Sequence, residues 1–454
     1  MAFISVVFSN VWHFIKGFFF LKNYNWTNAV LFMIVLMVIQ YIPLEGSAGV
    51  SPVKVAMMAV MPIIFLANFN INKAVVFGAM YWLWIFFTAY FLHPLSFRTS
   101  TVMYCGMFVS TFMVFYTLIY HKHVLTIDVF INFIRCFIYA YTGIAIIQTL
   151  LHMVGIWNMP WLNMILFVTE ESGMRVNGFS QEPSTFARTL WLLYYAYLKC
   201  NEYLRGSKVS LFQAFGPEHR WVTICVIADT AMMGSATCFI AMGVVSLYFL
   251  RGYYLFLTLP IFAGIFLILR NAEIKHFERV VAVANAASSM NAGSVRQTDT
   301  SAAVRVAPIV NTCSNLANNI TDRDFWIGHG CDYSLRFRHS PERRNMGDID
   351  DYGLISLILS WVLVFSCCVR LRSIGAILFL LGLGGGTNNV AYSWGLLYIL
   401  CATRYFYEQR RQGLLPVAED EGGRNDEAYP EYAELPGPSA PQGESLRDMK
   451  PTAF

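Results

Sequence analysis

The sequence has few charged residues for its length. Only 13% of its 454 residues are Asp, Glu, Lys or Arg, whereas 56% are hydrophobic. A soluble domain carries roughly 25% charged residues, and the mean hydropathy of this chain is +0.50. The net charge of +4 is small, so the composition gives no support for nucleic acid as a partner. These values predict a polytopic membrane protein.

Other common signals are also missing. No cluster of His, Cys, Asp or Glu has the spacing of metal ligands, and the chain has no internal repeat. The glycine-rich stretch 382–386 is not followed by lysine, so a tight outer turn explains it better than a phosphate loop does. The apolar N-terminus lacks a small-residue cleavage site. We therefore interpret residues 1–26 as an interfacial segment with Trp12, Lys16 and Lys22 as anchors.

Long hydrophobic runs predict an all-α polytopic membrane protein with about twelve transmembrane helices, because a span needs about 20 apolar residues. The predicted spans are 27–44, 50–69, 74–92, 102–120, 126–153, 185–199, 220–233, 235–250, 253–270, 352–369, 371–385 and 388–403. They form two transmembrane regions, 27–270 and 352–403, with the hydrophilic segment 271–351 between them.

Basic residues in the short connections predict the orientation of the spans, because such loops usually face the cytoplasm. The residues that define this side are Lys16, Lys22, Lys73, Lys122, Lys199, Arg205, Lys208, Arg251, Arg370, Arg372, Arg404, Arg410 and Arg411. Both termini are then cytoplasmic, and 154–184 and 271–351 lie outside. The large outer segment is predicted to be helical. Residues 404–454, in which the acidic residues outnumber the basic ones after residue 411 and prolines are frequent, are predicted to be a disordered cytoplasmic tail.

A polar segment at 174–190, MRVNGFSQEPSTFARTL, interrupts these apolar runs. Membrane proteins often keep their functional groups in such places. Asn177-Gly178 can form a turn with positive φ. Pro183 suits the first turn of a helix, so Glu182 is expected at the mouth of that helix.

Two interpretations of the charges in this segment stay open. In the functional one, Arg175 and Arg188 bind a phosphate or pyrophosphate, and Glu182 acts as a base. In the structural one, the three charges only anchor a helix end.

Four further residues carry more than one interpretation. Arg305 stands alone in the apolar run AAVRVAPIV and is either a second anion-binding group or part of a structural salt bridge. His329, between two glycines, is either a proton carrier or a turn residue. Asp229 lies within a predicted span and should face the bundle interior, a wet cavity or a partner, or else stay protonated. Arg135 is either functional or snorkels toward the membrane surface.

The order of these features resembles the bacterial O-antigen polymerase and ligase superfamily. Residues 175–187, RVNGFSQEPSTFA, resemble the outer-loop motif of that family. Arg305 resembles the arginine that opens the large outer loop. The sequence WIGHG at 326–330 is similar to the family's Gly-x-Gly turn, and DYGLISLI at 351–358 resembles the start of the next span. The resemblance covers roughly residues 100–403.

The resemblance implies a metal-independent membrane glycosyltransferase in the bacterial inner membrane. Such an enzyme moves a growing chain from undecaprenyl pyrophosphate to the next lipid-linked repeat unit, for O-antigen, capsule or exopolysaccharide. The histidine typical of ligases matches His339 only loosely, so polymerase is favoured over transfer to lipid A-core. A lipid-linked-sugar flippase or exporter is a second alternative. The expected partners are the lipid-linked oligosaccharide, membrane lipid, a chain-length regulator and a flippase, and no cofactor is expected.

The resemblance also implies roles for individual residues. Arg175, Arg188 and Arg305 would neutralise the departing pyrophosphate, and Glu182 or His329 would deprotonate the acceptor hydroxyl.

Two of the ten cysteines lie in the large outer loop, whereas most of the others fall inside spans. A thiol within a span behaves as a small hydrophobic group. Since the periplasm is oxidising, we predict a disulfide between Cys313 and Cys331.

Overall fold

The computed structural model describes residues 26–40, 52–67, 69–156, 173–250, 300–337, 344–382 and 390–415, together with the short pieces 158–159, 164–165 and 168–169. Five features predicted from the sequence lie outside these residues in whole or in large part. They are the interfacial segment 1–26, the span 253–270, the first part of the outer loop at 271–299, the glycine-rich turn after Gly382, and the acidic tail from residue 416 onward.

The described chain is almost entirely helical, which confirms the predicted class. The helices are α1 (Trp26–Val38), α2 (Pro52–Ala67), α3 (Lys73–Phe87, extended by a π turn Thr88–Leu92), α4 (Thr99–Tyr120), α5 (Ile127–Met153), α6 (Pro183–Arg205), α7 (Leu211–Ala214), α8 (Arg220–Met233), α9 (Ala236–Ser246), α10 (Thr300–Asn318), α11 (Arg323–Ile327), α12 (Tyr333–Phe337), α13 (Ile349–Cys367), α14 (Ile374–Gly382) and α15 (Ala391–Arg411). Pro94–Ser96 forms a 3-10 turn.

Two short antiparallel hairpins precede α6. Strand β1 (Asn158–Met159) pairs with β2 (Met164–Ile165), and β3 (Val168–Thr169) pairs with β4 (Gly173–Met174).

The apolar helices indicate a membrane protein. Four helices are long and apolar enough to cross a membrane, namely Lys73–Leu92, Thr99–Tyr120, Ile127–Met153 and Ile349–Cys367. Shorter apolar helices are Trp26–Val38, Val55–Ala67 and Thr237–Ser246. The described residues therefore do not confirm the predicted number of twelve spans.

Helices α6 and α15 form the centre of the bundle, and most of their residues are buried. Helices α1 and α4 pack against α15, while α5, α8 and α9 pack against α6. Because protein rather than lipid surrounds the two central helices, they tolerate polar side chains that an exposed span would not. Stacked rings fill this interface, including Phe115 of α4 on Tyr398 of α15 at 4.3 Å between centroids.

The two central helices run parallel to each other. At their first turns, the Tyr392 hydroxyl donates to the carbonyl of Thr185 at 3.2 Å. At their other ends, Arg410 lies beside Gly206, the left-handed residue that ends α6. The 23 residues of α6 span about 34 Å at 1.5 Å per residue, which is close to the thickness of a bilayer core.

The connections segregate to two ends of the bundle. The polar segment 175–182 and the segments 323–337 and 344–348 lie where α6 and α13 begin, and we call this the loop end. The connections 120–127, 205–220 and 368–374 lie at the opposite end, with Lys73, Arg370 and Arg404, and we call this the basic end. Helices α3, α4, α5 and α6 run alternately between the two ends. Which end faces the cytoplasm stays a prediction.

The predicted boundary of the acidic tail is wrong, because α15 continues through Arg411. Arg404 contacts Glu408 on the next turn, with 2.8 Å between Nε and Oε1, and Tyr405 and Phe406 are buried in the core. These contacts keep 404–411 helical, where the sequence favoured disorder.

Candidate functional site

A glutamine in α5 fixes the polar loop 175–182. The side-chain oxygen of Gln148 accepts the backbone N–H groups of Asn177 at 3.2 Å and Gly178 at 3.0 Å. Its side-chain nitrogen donates to Asn177 Oδ1 at 2.7 Å and to the Gly178 carbonyl at 3.2 Å. Gln148 and Asn177 are buried, and buried polar groups need such partners. These hydrogen bonds from α5 therefore hold the turn at Asn177 and Gly178 in one conformation.

A second glutamine holds the other half of the loop. The side-chain oxygen of Gln40, just after α1, accepts the backbone N–H of Gln181 at 2.8 Å, and the backbone N–H of Gln40 donates to the Phe179 carbonyl at 3.0 Å. Between the two clamps, Gly178 adopts a left-handed φ of +57°, which confirms the turn expected at this position. A side chain there would also meet the ring of Tyr141 at 2.9 Å.

Glu182 is the N-cap residue of α6, so it lies at the helix mouth that the sequence predicts. Its backbone is extended (φ −136°, ψ 150°), and Pro183 is the first helical residue. The side chain is exposed, and the Ser184 hydroxyl donates to Oε2 at 3.0 Å. The carboxylate is therefore held at the positive end of a long helix dipole and can be reached from outside the bundle.

Arg188 lies one turn further along α6 and braces the helix. Its Nη1 donates to the Gly382 carbonyl at 2.8 Å, its Nη2 to Thr185 Oγ1 at 3.2 Å, and its Nε to the Ser184 carbonyl at 3.3 Å. The guanidinium also lies 5.6 Å from the centre of the Tyr392 ring. These contacts support the structural alternative for Arg188. Arg175, at the start of the loop, is half-buried.

His329 lies in a separate cluster at the loop end. Its backbone N–H donates to the Asp350 carbonyl at 3.2 Å. The ring faces Tyr333 at 4.1 Å between centroids, and Nδ1 is 3.9 Å from Asp324 Oδ2. His93 lies next to it, and burial lowers the pKa of His93, with the charge of His329 acting in the same direction. The sequence gives no sign that His93 and His329 lie next to each other.

Two glycines join this cluster to α13. Gly353 has φ +80° and ψ 174°, and Gly328 has φ +74°. A Cβ on Gly353 would overlap the carbonyl of Trp326, and one on Gly328 would overlap the carbonyl of Asp351. The turn that carries His329 therefore packs backbone to backbone on the start of α13.

The three aspartates before and within the first turn of α13 each have a separate partner. The Tyr81 hydroxyl donates to Asp348 at 2.9 Å. The backbone N–H and the side-chain amide of Asn345 donate to Asp350. The backbone N–H and the hydroxyl of Ser334 donate to Asp351. Burial raises the pKa of Asp348, and the Tyr81 hydrogen bond opposes this shift. Asp348 therefore ties the start of α13 to α3, whereas Asp350 and Asp351 tie it to the chain at Asn345 and Ser334.

Arg305 lies in α10, and its side chain is outside the described residues. The next turns of α10 are tied to the segment before α13. Asn311 Nδ2 donates to the Arg344 carbonyl at 3.0 Å, and the Met346 N–H donates to Thr312 Oγ1 at 2.7 Å.

The predicted disulfide between Cys313 and Cys331 is wrong, because both residues are free cysteines. Cys331 is buried in the main core, where the Tyr352 hydroxyl donates to its sulfur at 3.6 Å. Cys313 is exposed on α10. Their shared position in the segment predicted to lie outside therefore did not bring the two sulfurs together.

The two ionisable residues predicted within spans lie at different levels of the α5–α8 interface. Asp229 is fully buried, and the Thr142 hydroxyl donates to its Oδ2 at 2.7 Å. Arg135 is half-buried and precedes Thr142 by about two helical turns, or about 10 Å. The positive charge of Arg135 lowers the pKa of His219, which directly precedes α8. The structure supports a pairing role for Asp229, with Thr142 as the partner.

We expect Gln148→Leu to destabilise the protein and loosen the loop. The variant leaves the Asn177 and Gly178 N–H groups buried without their acceptor, and one such group costs about 1–3 kcal/mol. Its thermal unfolding midpoint in detergent should therefore fall. Thr149→Val is the matched control, because Thr149 is half-buried and bonds only within its own helix and to a methionine sulfur. Equal midpoints for the two variants would contradict the clamp.

We expect acid to destabilise the protein through His219. Burial lowers the pKa of His219 from 6.5 to about 4, and the positive charges of Arg205 and Arg135 act in the same direction. The Tyr197 hydroxyl lies 2.8 Å from His219 Nδ1, and the Glu218 carboxylate lies 4.0 Å from His219 Nε2. In the unfolded chain His219 binds a proton below pH 6.5, whereas in the folded chain it does so only below about pH 4. Stability is therefore full above pH 6.5 and decreases between pH 6.5 and 4.

Thermal midpoints measured across this pH window test the role of His219. His219→Gln should show a shallower decrease than the wild type, whereas the same change at the exposed His121 should leave the slope unaltered. If His219→Gln and the wild type have parallel profiles, another group causes the acid sensitivity.

Comparison of the chain with protein-family models, with curated proteins and with solved structures finds no match.

Proposed function

We propose that this protein is a membrane glycosyltransferase that polymerises lipid-linked oligosaccharide repeat units for O-antigen, capsule or exopolysaccharide. The observation that carries the proposal is the loop at 175–182. It is clamped by Gln148 and Gln40, and it presents the exposed carboxylate of Glu182 at the N-terminus of the central helix α6. A rigid loop is suited to catalysis, because a reacting group must be held in place.

In the proposed reaction, a hydroxyl of the acceptor sugar attacks the anomeric carbon of the donor sugar. The bond between that carbon and the undecaprenyl pyrophosphate oxygen breaks, and the hydroxyl proton passes to Glu182. Arg175, Arg305 and the positive end of α6 would stabilise the departing pyrophosphate. Arg188 mainly positions the helix in this proposal, although a guanidinium has more N–H groups than its three contacts use.

In this proposal the protein lies in the bacterial inner membrane with the loop end in the periplasm. The basic end, with its arginines and lysines, would face the cytoplasm, as the charge bias of short loops predicts. Its partners would be the lipid-linked oligosaccharide, a flippase that delivers it and a chain-length regulator.

One observation favours a different function. Asp229 is a fully buried carboxylate within the bundle, and residues of this kind often mark a transport path in membrane proteins. A flippase or exporter of lipid-linked sugars would use such a group, and deletion of the gene separates that function from polymerisation.

The deletion is followed by gel analysis of surface polysaccharide. A ladder that collapses to a single repeat unit supports a polymerase. Undecorated lipid A-core with polymer still attached to its carrier indicates a ligase. Loss of every sugar band, with unpolymerised repeat units retained on the cytoplasmic face, indicates a flippase. An unchanged ladder contradicts all three functions.

A further inference from the structure

The basic end of the bundle contains a cavity of about 240 Å³ that the proposed reaction does not use. It lies between the last turns of α6 and α15, the turn after α13 and the first turn of α14. Five cationic side chains line it, namely Lys199, Lys208, Arg370, Arg372 and Arg404. A neighbouring cavity of about 510 Å³ shares Arg370 and Arg404 and adds Lys73 and Arg411.

Carboxylates balance only the inner part of this charge. Lys199 pairs with Glu202 at 2.7 Å, and Arg404 pairs with Glu408 at 2.8 Å. Both cations are half-buried, whereas Lys208, Arg370 and Arg372 form an exposed rim. In the part of the chain that the structure describes, no carboxylate lies within ion-pair distance of these three rim cations. An anion that enters the cavity would therefore be attracted by an excess of positive charge.

The remaining walls suit a phosphate group at a membrane surface. Tyrosine rings at positions 195, 203, 248 and 407 line the cavity, and the Arg370 guanidinium lies 4.0 Å from the centre of the Tyr407 ring. Rings of this kind are enriched where a bundle crosses the headgroup level. Ile374 and Gly375, the first residues of α14, also line the cavity, so backbone N–H groups and the positive end of the helix add to the potential.

We propose that this cavity binds the phosphate of an anionic phospholipid headgroup. Basic pockets between transmembrane helices bind such headgroups, and the tyrosine walls would contact the glycerol and first methylenes. The cavity is about 34 Å from Glu182 by the length of α6. The proposal is therefore independent of the polymerase reaction.

The test uses the full-length protein in detergent and native mass spectrometry. Phosphatidylglycerol should bind more tightly than phosphatidylcholine of the same chain length. Lys208→Gln/Arg372→Gln should weaken phosphatidylglycerol binding about 30-fold, because each cation near a membrane surface contributes a factor of about five to the affinity for an anionic lipid. Both residues are exposed, so the fold is not at risk.

Lys122→Gln/Arg220→Gln is the matched control, because it removes the same charge at the basic end from exposed residues outside the cavity. It should leave the affinity for phosphatidylglycerol within about twofold of the wild type. Equal loss in the two double variants would overturn the site, since it would show attraction by overall charge. Inorganic phosphate or glycerol phosphate that binds as tightly as the lipid would overturn a lipid source and assign the cavity to a soluble phosphate.

Discussion

Glu182→Gln abolishes chain extension while the protein stays folded, if the carboxylate is the base in the proposed reaction. Glutamine has the size of glutamate, and its carbonyl oxygen can still accept the Ser184 hydroxyl that holds Oε2 at 3.0 Å. An amide does not take up a proton at neutral pH, so only basicity is lost. General-base catalysis contributes about 10²–10⁴ in rate. Gel analysis of surface polysaccharide should show single repeat units at normal protein level.

Two controls make this prediction specific. Glu218→Gln changes an exposed carboxylate at the basic end, where a surface ion pair with Arg205 contributes little, and it should leave the ladder intact. His329→Ala removes the competing base. Normal polymer from Glu182→Gln together with single repeats from His329→Ala would move the base to the histidine.

Gly353→Ala should be the most destabilising of the single substitutions proposed for this protein. The φ of +80° and ψ of 174° at Gly353 fall in a region that is essentially restricted to glycine. The added methyl group would also overlap the carbonyl of Trp326. Strain and overpacking together should cost about 3 kcal/mol or more. The thermal midpoint should fall, and hydrogen exchange should increase over α11 and the His329 turn.

Gly143→Ala is the matched control for this substitution. Gly143 lies inside α5, and a methyl group added there would meet no atom within 4 Å. Alanine also favours a helix over glycine by about 0.8–1.0 kcal/mol, so the midpoint should be unchanged or higher. A Gly353→Ala protein as stable as Gly143→Ala would show that the two backbone turns do not pack as described.

The sequence predicted the local structure of the polar loop well. The turn at Asn177-Gly178 and the helix start at Pro183 follow from residue chemistry within a few positions, so each could be inferred without tertiary contacts. The alternation of helices between two ends likewise follows from apolar runs and basic connections.

Long-range partners could not be predicted in the same way. Gln148 and Gln40 each stand as a lone amide in or beside an apolar run, a signal that marks a buried hydrogen-bonding role but not its partner. The position of His93 beside His329 depends on how α3 packs against α13.

The disulfide prediction failed for a related reason. The sequence places Cys313 and Cys331 in one outer segment, but α10 turns the first toward solvent while the second packs under Tyr352. Only the arrangement of helices decides whether two thiols meet.

The most direct test of the proposed function is chain extension by the purified protein in vesicles that contain undecaprenyl-pyrophosphate-linked repeat units. We expect a ladder of products with the wild type, and single repeat units with Glu182→Gln at an unchanged thermal midpoint. A correctly folded wild type that releases no pyrophosphate carrier and extends no chain would contradict the proposed function. A Glu182→Gln ladder equal to that of the wild type would contradict the assigned base.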